Sequence, residues 1–442
     1  MSGATAAHAS YNGSGTQGIA VTNKLNDTGD IISTIWGKDD TTKQLLHGAS
    51  LIEIPSSGGG TSPGSVYTFT LNSDMDAIGD MYGIATIDVV NGTYFNKSVG
   101  FLSVINRIEF HCGTQIWQTL EQDDLVALNT TELSEAAYDK FILSSIGYIS
   151  DVSFNRRLID IAQDFSATRV ISFKIPLLTR KVCPIFNNFS NVTEAGFLTA
   201  CAPNQTVKIR IFTNTFADMF ADGAIGAVAT GSLDLRLFGN HLVMCNEERE
   251  KIRNIPGGIA KRVKITQNAN LSSFPAARNG VVTAIIDCDH FSLFASHLII
   301  QIHDTASILT SVGLDNPVAT DSSFCSLIDA DLRLNNTSYC GRLTGAAMSG
   351  PLADSMGLYV NTTCFNTSTA PDSLVYVFPL SNYAFSGAGV PLNRFDNIRL
   401  TIRIALDDPI GGVLEELSRV SVTCVGESTA LYKQGAASIS MY

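Results

Sequence analysis

Leu233-Asp-Leu-Arg-Leu-Phe238 alternates apolar and charged residues with a period of two. In an extended chain this puts the leucines on one face and the Asp and Arg on the other, the signature of a half-buried β-strand. The same alternation recurs upstream in Val66-Tyr-Thr-Phe-Thr-Leu71, Arg107-Ile-Glu-Phe-His-Cys112, Val170-Ile-Ser-Phe-Lys-Ile175 and Val207-Lys-Ile-Arg-Ile-Phe212. After a break it resumes at Val281–Ile286, Leu298–Ile302, Leu327–Leu334, Leu374–Phe378, Ile398–Ile404 and Val420–Val425. One face wet and one face apolar, strand after strand, predicts antiparallel sheets packed as sandwiches.

Helix signals are sparse. Thr131 to Phe141 opens on a Thr cap with acidic residues in its first turn, and Asn246-Glu-Glu-Arg-Glu-Lys-Ile252 follows the last strand of the first series before Pro256-Gly-Gly258 stops it. With too few helices for βαβ units, the chain is expected to be all-β, as two tandem antiparallel eight-stranded jelly rolls with short helices in loops and at the connection. A length of 442 residues exceeds what one core usually holds. The expected division is a flexible N-terminal arm over 1–22, a first jelly roll over 23–240, a connection with a short helix over 241–258, and a second jelly roll over 259–442.

Composition narrows the function. Apolar residues make up 45% and charged residues 16%, below the roughly 25% charged of ordinary soluble domains, so Ser, Thr, Asn and Gly must cover much of the surface. Such a surface suits packing against copies of itself. The net charge of -12 argues against direct nucleic-acid binding, which needs a clustered basic face; Lys261, Arg262 and Lys264 read as the solvated start of a strand. Residues 1–18 lack the basic and apolar regions of a secretory signal, and no apolar run reaches the roughly 20 residues of a membrane span. Nine cysteines stand singly, without a Cys-x-x-Cys pair, which fits neither a disulfide framework nor a zinc site and points to a reducing compartment. Long aperiodic stretches at 187–205, 303–324 and 335–372 are expected to project from one end of each sandwich.

No residue pattern points to a catalytic group. Trp36 and Trp117 lack flanking acid pairs suited to glycoside hydrolysis, and Asp407-Asp408 and Glu415-Glu416 read as solvated loop. Cys288, His290, His297 and His303 fall close together, but His290 and His297 are an odd number of residues apart and point to opposite faces of one strand. Asp287 and Asp289 have no Gly-centred acidic loop around them. No Gly-x-Ser-x-Gly elbow is present, and Gly58-Gly-Gly60 lacks the Lys-Ser/Thr of a phosphate loop and reads as a hairpin tip. No catalytic, cofactor or metal residue is assigned. About a dozen Asn-x-Ser/Thr sequons occur; Asn336, Asn361 and Asn366, in the long second-half stretch, are the candidate glycosylation sites.

Ordered along the chain, several elements together resemble the double jelly-roll major capsid proteins of nucleocytoplasmic large DNA viruses. They are Ile78-Gly-Asp-Met-Tyr82, the strand and turn Val104 to Ile116, Phe173-Lys-Ile-Pro-Leu177, Glu247-Glu-Arg249, Phe294-Ala-Ser-His-Leu-Ile-Ile300, Tyr376 to Leu380, Asn393 to Leu400, and Leu431 to Ala437. That resemblance implies a non-enzymatic homotrimer in which six similar domains form a roughly hexagonal tile of an icosahedral shell. Its partners would be neighbouring capsomers and minor capsid proteins, and indirectly an internal viral membrane, with the protein residing in the virion after assembly in the host cytoplasm. Two other readings stay open: a poxvirus-type scaffold forming a transient lattice, and, more remotely, a carbohydrate-binding or hydrolytic β-sandwich.

Overall fold

The computed structural model describes residues 47–71, 76–90, 102, 104–133, 169–177, 197–219, 230–244, 246–255, 257–304, 325–360, 375–381, 384, 389–406 and 417–440. The first sandwich consists of β1 (His47–Ile54), β2 (Val66–Leu71), β3 (Ala77–Val90), β4 (Ile105–Cys112), β5 (Gln115–Glu121), β6 (Arg169–Ile175), β7 (Val207–Thr213) and β8 (Thr230–Met244). These form two four-stranded sheets, ordered β1-β8-β3-β6 and β2-β7-β4-β5. Apart from the β4–β5 hairpin, consecutive strands lie in opposite sheets, which is jelly-roll connectivity.

The second sandwich repeats the scheme. Its first sheet runs β15 (Val375–Pro379), β11 (Phe294–Asp304) and β18 (Leu417–Lys433), with β9 (Ile259–Leu271) on the far side of β18 and β19 (Ala436–Ser440) extending it. The facing sheet runs β10 (Val281–Asp287), β17 (Ile398–Ala405), β12 (Ser326–Leu334) and β13 (Thr337–Ser338), with β14 (Leu343–Thr344) also on β12. The short β16 (Val390–Pro391) pairs with β11. The expected double jelly roll is therefore what the chain forms, and the eleven strand segments are strands in all their described residues, Leu374 lying outside these.

Alternation sets the core. In β7 and β17 every second residue is buried, so Ile209, Ile211, Leu400, Ile402 and Ile404 face inward among fully buried neighbours such as Phe69, Phe110 and Leu298. Gly83 on β3 lies opposite Phe173 on β6. The Phe173 ring occupies the space a side chain would take: a Cβ at Gly83 would lie 2.3 Å from its nearest carbon.

Strand register gives both sandwiches the same direction. His47 pairs with Met244 and Ile259 with Tyr432 at one end, where helix α3 (Asn246–Arg253) joins the two halves. At the opposite end Val90 pairs with Thr230 and Asp304 with Leu417. The stretch 241–258 expected as connection thus opens with the last residues of β8. Asp76, fully buried, accepts hydrogen bonds from Met244 N at 2.6 Å and from Arg249 Nε and Nη2 at 2.6 and 2.9 Å, tying the start of α3 to the first sandwich.

Three expectations change. The first helix is α1, Gln122–Glu132, not Thr131 to Phe141, of which 134–141 lie outside the described residues; the single-turn α2 (Phe216–Met219) follows β7. Gly58 does close a local turn, with Ser56 bridged to Phe69, but the flanking β1 and β2 belong to opposite sheets. The long stretches are not equivalent either. β11 ends at Asp304, away from α3, with 305–324 outside the described residues, whereas Phe197, within the first-half stretch 187–205, bridges Ile78 at the α3 end and is buried. Of the third stretch, 335–360 contain β13, β14, α4 (Gly345–Met348) and α5 (Pro351–Ser355), and the rest up to 372 lies outside the described residues. We expect Gly83→Val to lower the free energy of unfolding by roughly 1–3 kcal/mol through overpacking against Phe173, read as a shift of the denaturant midpoint at unchanged slope.

Candidate assembly interface

The residues with the most constrained chemistry lie where the two sandwiches meet. Helix α1 begins with a reciprocal cap: Asp124 Oδ2 accepts the Glu121 N–H at 3.0 Å, and the Glu121 side chain accepts from the backbone of Asp124. Every residue of α1 from Asp123 to Glu132 is buried, polar ones included. Its polar side chains are satisfied in two ways. Asn129, Thr130 and Thr131 donate to the carbonyls of Leu125, Val126 and Ala127, at 2.8, 2.6 and 2.7 Å. Asp123, Asp124 and Glu132 reach across to the second sandwich.

There they meet the outer face of the sheet formed by β11, β18 and β9. Arg419 Nη2 donates to Asp123 Oδ1 at 2.7 Å, with His303 Nε2 3.6 Å from the same oxygen. Thr423 Oγ1 and Asn268 Nδ2 donate to Asp124 Oδ1 at 2.7 and 3.2 Å. Lys264 Nζ lies 2.7 Å from both carboxylate oxygens of Glu132. Burial raises Asp124 to about 7, against hydrogen bonds from Thr423 and the Glu121 backbone that pull it down. Burial likewise lowers His297 to about 4 and lowers His303. Charges removed from water persist only when paired this closely.

Toward the α3 end the contact becomes apolar. The rings of Phe110, Trp117 and Phe197 pack together, and Tyr432 of β18 joins them with centroids 6.4 Å from Trp117 and 5.5 Å from Phe197. Leu198 N donates to the Tyr432 hydroxyl at 3.3 Å, and Ala437 N donates to Gln205 Oε1 at 2.7 Å. The two halves are thus joined along their full height.

Among the described residues no element covers the corresponding outer face of the first sandwich, on β1-β8-β3-β6. Leu51 and Val170 are 60% and 49% exposed there, with Tyr82, Ile84 and Phe238 half-buried beside them. Polar pairs frame the patch: Lys174 Nζ sits 3.1 Å from Asp80 Oδ1, and Arg236 Nε donates to Glu53 at 2.8 Å. Strand parity places the same positions that are buried under α1 in the second sandwich on this uncovered face in the first.

Residues weighed in the sequence disperse. His290 bonds the Asn268 carbonyl at 2.9 Å, His297 and His303 lie beneath opposite ends of α1, and Cys288 is buried inside the second sandwich. Among the described residues no three His, Cys, Asp or Glu side chains converge on a metal position. Asp287 pairs with Arg399 at 3.3 Å, and Asp289 caps the Ile398 N–H at 2.6 Å. Trp117 is core and Trp36 lies outside the described residues. The reading of Lys261, Arg262 and Lys264 as a solvated strand start is corrected: Arg262 meets solvent, while Lys261 and Lys264 are buried, Lys264 against Glu132. Asn336 sits exposed in the two-residue turn between β12 and β13, where it and Asn335 both have positive φ, 65° and 49°. Asn361 and Asn366, like Asp407, Asp408, Glu415 and Glu416, lie outside the described residues. The acidic triplet of α1 escaped sequence reading because a helix buried on every side has no apolar stripe; only Asp123-Asp124 in its first turn marked it.

No family profile and no curated protein matches the chain. Solved structures do. PBCV-1 VP54, fitted into a reconstruction of the virophage Sputnik, superposes with a TM-score of 0.67 at 10% identity, covering 92% of this chain and 99% of that one. The chain shares the fold of a viral capsid protein. A quasi-atomic model of the PBCV-1 virus capsid matches with a TM-score of 0.66 at 11% identity over 92% and 99% of the two chains, and the Faustovirus major capsid protein with 0.53 at 9% identity over 90% and 92%.

The Glu132–Lys264 pair has a measurable consequence. Glu132→Gln leaves a buried ammonium without its counter-charge and is expected to cost roughly 3–5 kcal/mol, whereas the paired change Glu132→Leu with Lys264→Met restores most of it. Equilibrium unfolding of the two variants and the parent checks this.

Proposed function

We propose that this protein is a structural capsid protein whose three-chain ring tiles a virus shell. The observation that carries the reading is the asymmetry of the two equivalent sheet faces. In the second sandwich the outer face of β11-β18-β9 is covered by α1 and β5 of the first; in the first sandwich no described element covers the matching face, which is partly apolar. A contact of this kind is heterologous, so repeating it between copies either closes a ring or propagates. If the second sandwich of one copy covers the open face of the next, first and second sandwiches alternate around an axis. Three chains then supply six similar blocks, a shape that fills a plane.

Further support comes from polarity along the axis. Both sandwiches point the same way, with the connection α3 and the first described residue, His47, at one end and the strand ends flanking 91–101, 305–324 and 407–416 at the other. A tile with two unlike faces suits a shell with an inside and an outside. The fold likeness to VP54 and the Faustovirus protein spans both chains nearly end to end. In this reading mechanism is assembly: neighbouring capsomers and minor capsid proteins are the partners, the virion is the location, and no catalytic group or cofactor takes part.

Light scattering of the purified chain is expected to give a species of three times 47.3 kDa. Val170→Asp together with Leu51→Asp, placing charges on the open face, should leave folded monomers with unchanged far-UV circular dichroism. A parent protein that stays monomeric from dilute to concentrated solution would overturn the reading.

A further inference from the structure

Helix α1 is held to the second sandwich by a cation and a histidine at each end. Near its start, His303 faces Asp123 of α1 and Arg419 and Ser421 of β18: Asp123 Oδ1 lies 3.6 Å away and Ser421 Oγ 3.4 Å away. Near its end, His297 faces Glu132 of α1 and Lys264 of β9, and its Nδ1 is 2.8 Å from the hydroxyl of Ser296. The His297 Nε2 is buried with no hydrogen-bond partner. Both imidazoles stand beside a cation paired with the local carboxylate, so a further positive charge there meets like charge as well as burial.

We propose that this seam is an acid-sensitive latch, in which proton uptake by His297 and His303 loosens α1 from the second sandwich. The sign follows from where each proton binds. Both histidines ionise below their ordinary 6.5, chiefly through burial, so the closed seam binds fewer protons than the opened one. Closure is fully favoured above that value and weakens as pH falls toward about 4, where His297 titrates in the closed state. Asp124 acts in the opposite sense. It faces Thr423 of β18, Asn268 of β9 and Asp123 and Glu121 of its own segment, and burial lifts it from 3.8 to about 7. The closed seam therefore retains the Asp124 proton, a contribution that is complete below 3.8 and is lost as pH rises to about 7. Between about 4 and 6.5 this offsets one histidine of the two, so the contact is strongest near pH ~6.5, weakens on acidification just below it through the second histidine, and levels off above about 7.

The latch lies within one chain and does not depend on assembly into a shell. Hydrogen–deuterium exchange of the full-length protein over 122–132, corrected for the intrinsic pH dependence, tests it. Below pH ~6.5 each histidine is expected to speed exchange, and Asp124 to slow it, by as much as about tenfold per pH unit, leaving a net acid limb of up to about tenfold per pH unit in the parent. H297Q/H303Q should reverse the slope, exchange then slowing as pH falls from about 7, whereas D124N should steepen the acid limb. An acid limb of undiminished size in H297Q/H303Q, or exchange independent of pH in D124N, overturns the proposal. Should the double variant not fold, imidazole C2-hydrogen exchange of the parent decides: midpoints below the ordinary value support the latch, and ordinary midpoints at both histidines refute it.

Discussion

Placing three carboxylates of one helix in a seam without water constrains nearly everything around them. Asp123, Asp124 and Glu132 are buried only because β18 and β9 present Arg419, Thr423, Asn268 and Lys264 at matching heights. That match requires both sandwiches to point the same way and β9 and β18 to pair in one register, since a slip of one residue turns Lys264 and Thr423 into the apolar core. The capping of α1 by Asp124 and the return of Asn129, Thr130 and Thr131 to their own helix complete the accounting, leaving each of these polar groups partnered.

Apolar and polar parts of the junction divide the labour. The cluster of Trp117, Phe197 and Tyr432 supplies non-directional attraction at the α3 end. The ion pairs along α1 add little net attraction over apolar replacements but penalise every misaligned arrangement. Attraction thus comes from one end and alignment from the other. Within the described residues the outcome is a pair of blocks with one sheet face covered inside the chain and its counterpart uncovered.

Much of the architecture was legible in the sequence. Strands such as β2, β7, β10 and β17 carry strict alternation, because one face of each meets the core and the other meets solvent. The exceptions have a common cause. β9 buries Lys264 and Thr266 on the face that alternation marks as wet, and β5 buries Gln118 beside Trp117. α1 lacks a stripe for the same reason. Where a surface is covered by the other half of the chain, period and polarity cease to report exposure.

By itself the sequence determined the all-β class, the two strand series separated by an acidic helix, and the positions of most strands, since these follow from local periodicity that each segment carries alone. Only the tertiary structure decided which wet face becomes an interface. Lys264 reads like any solvated strand lysine until Glu132, 132 positions away, arrives opposite it, and no local pattern encodes the meeting of two groups so far apart along the chain.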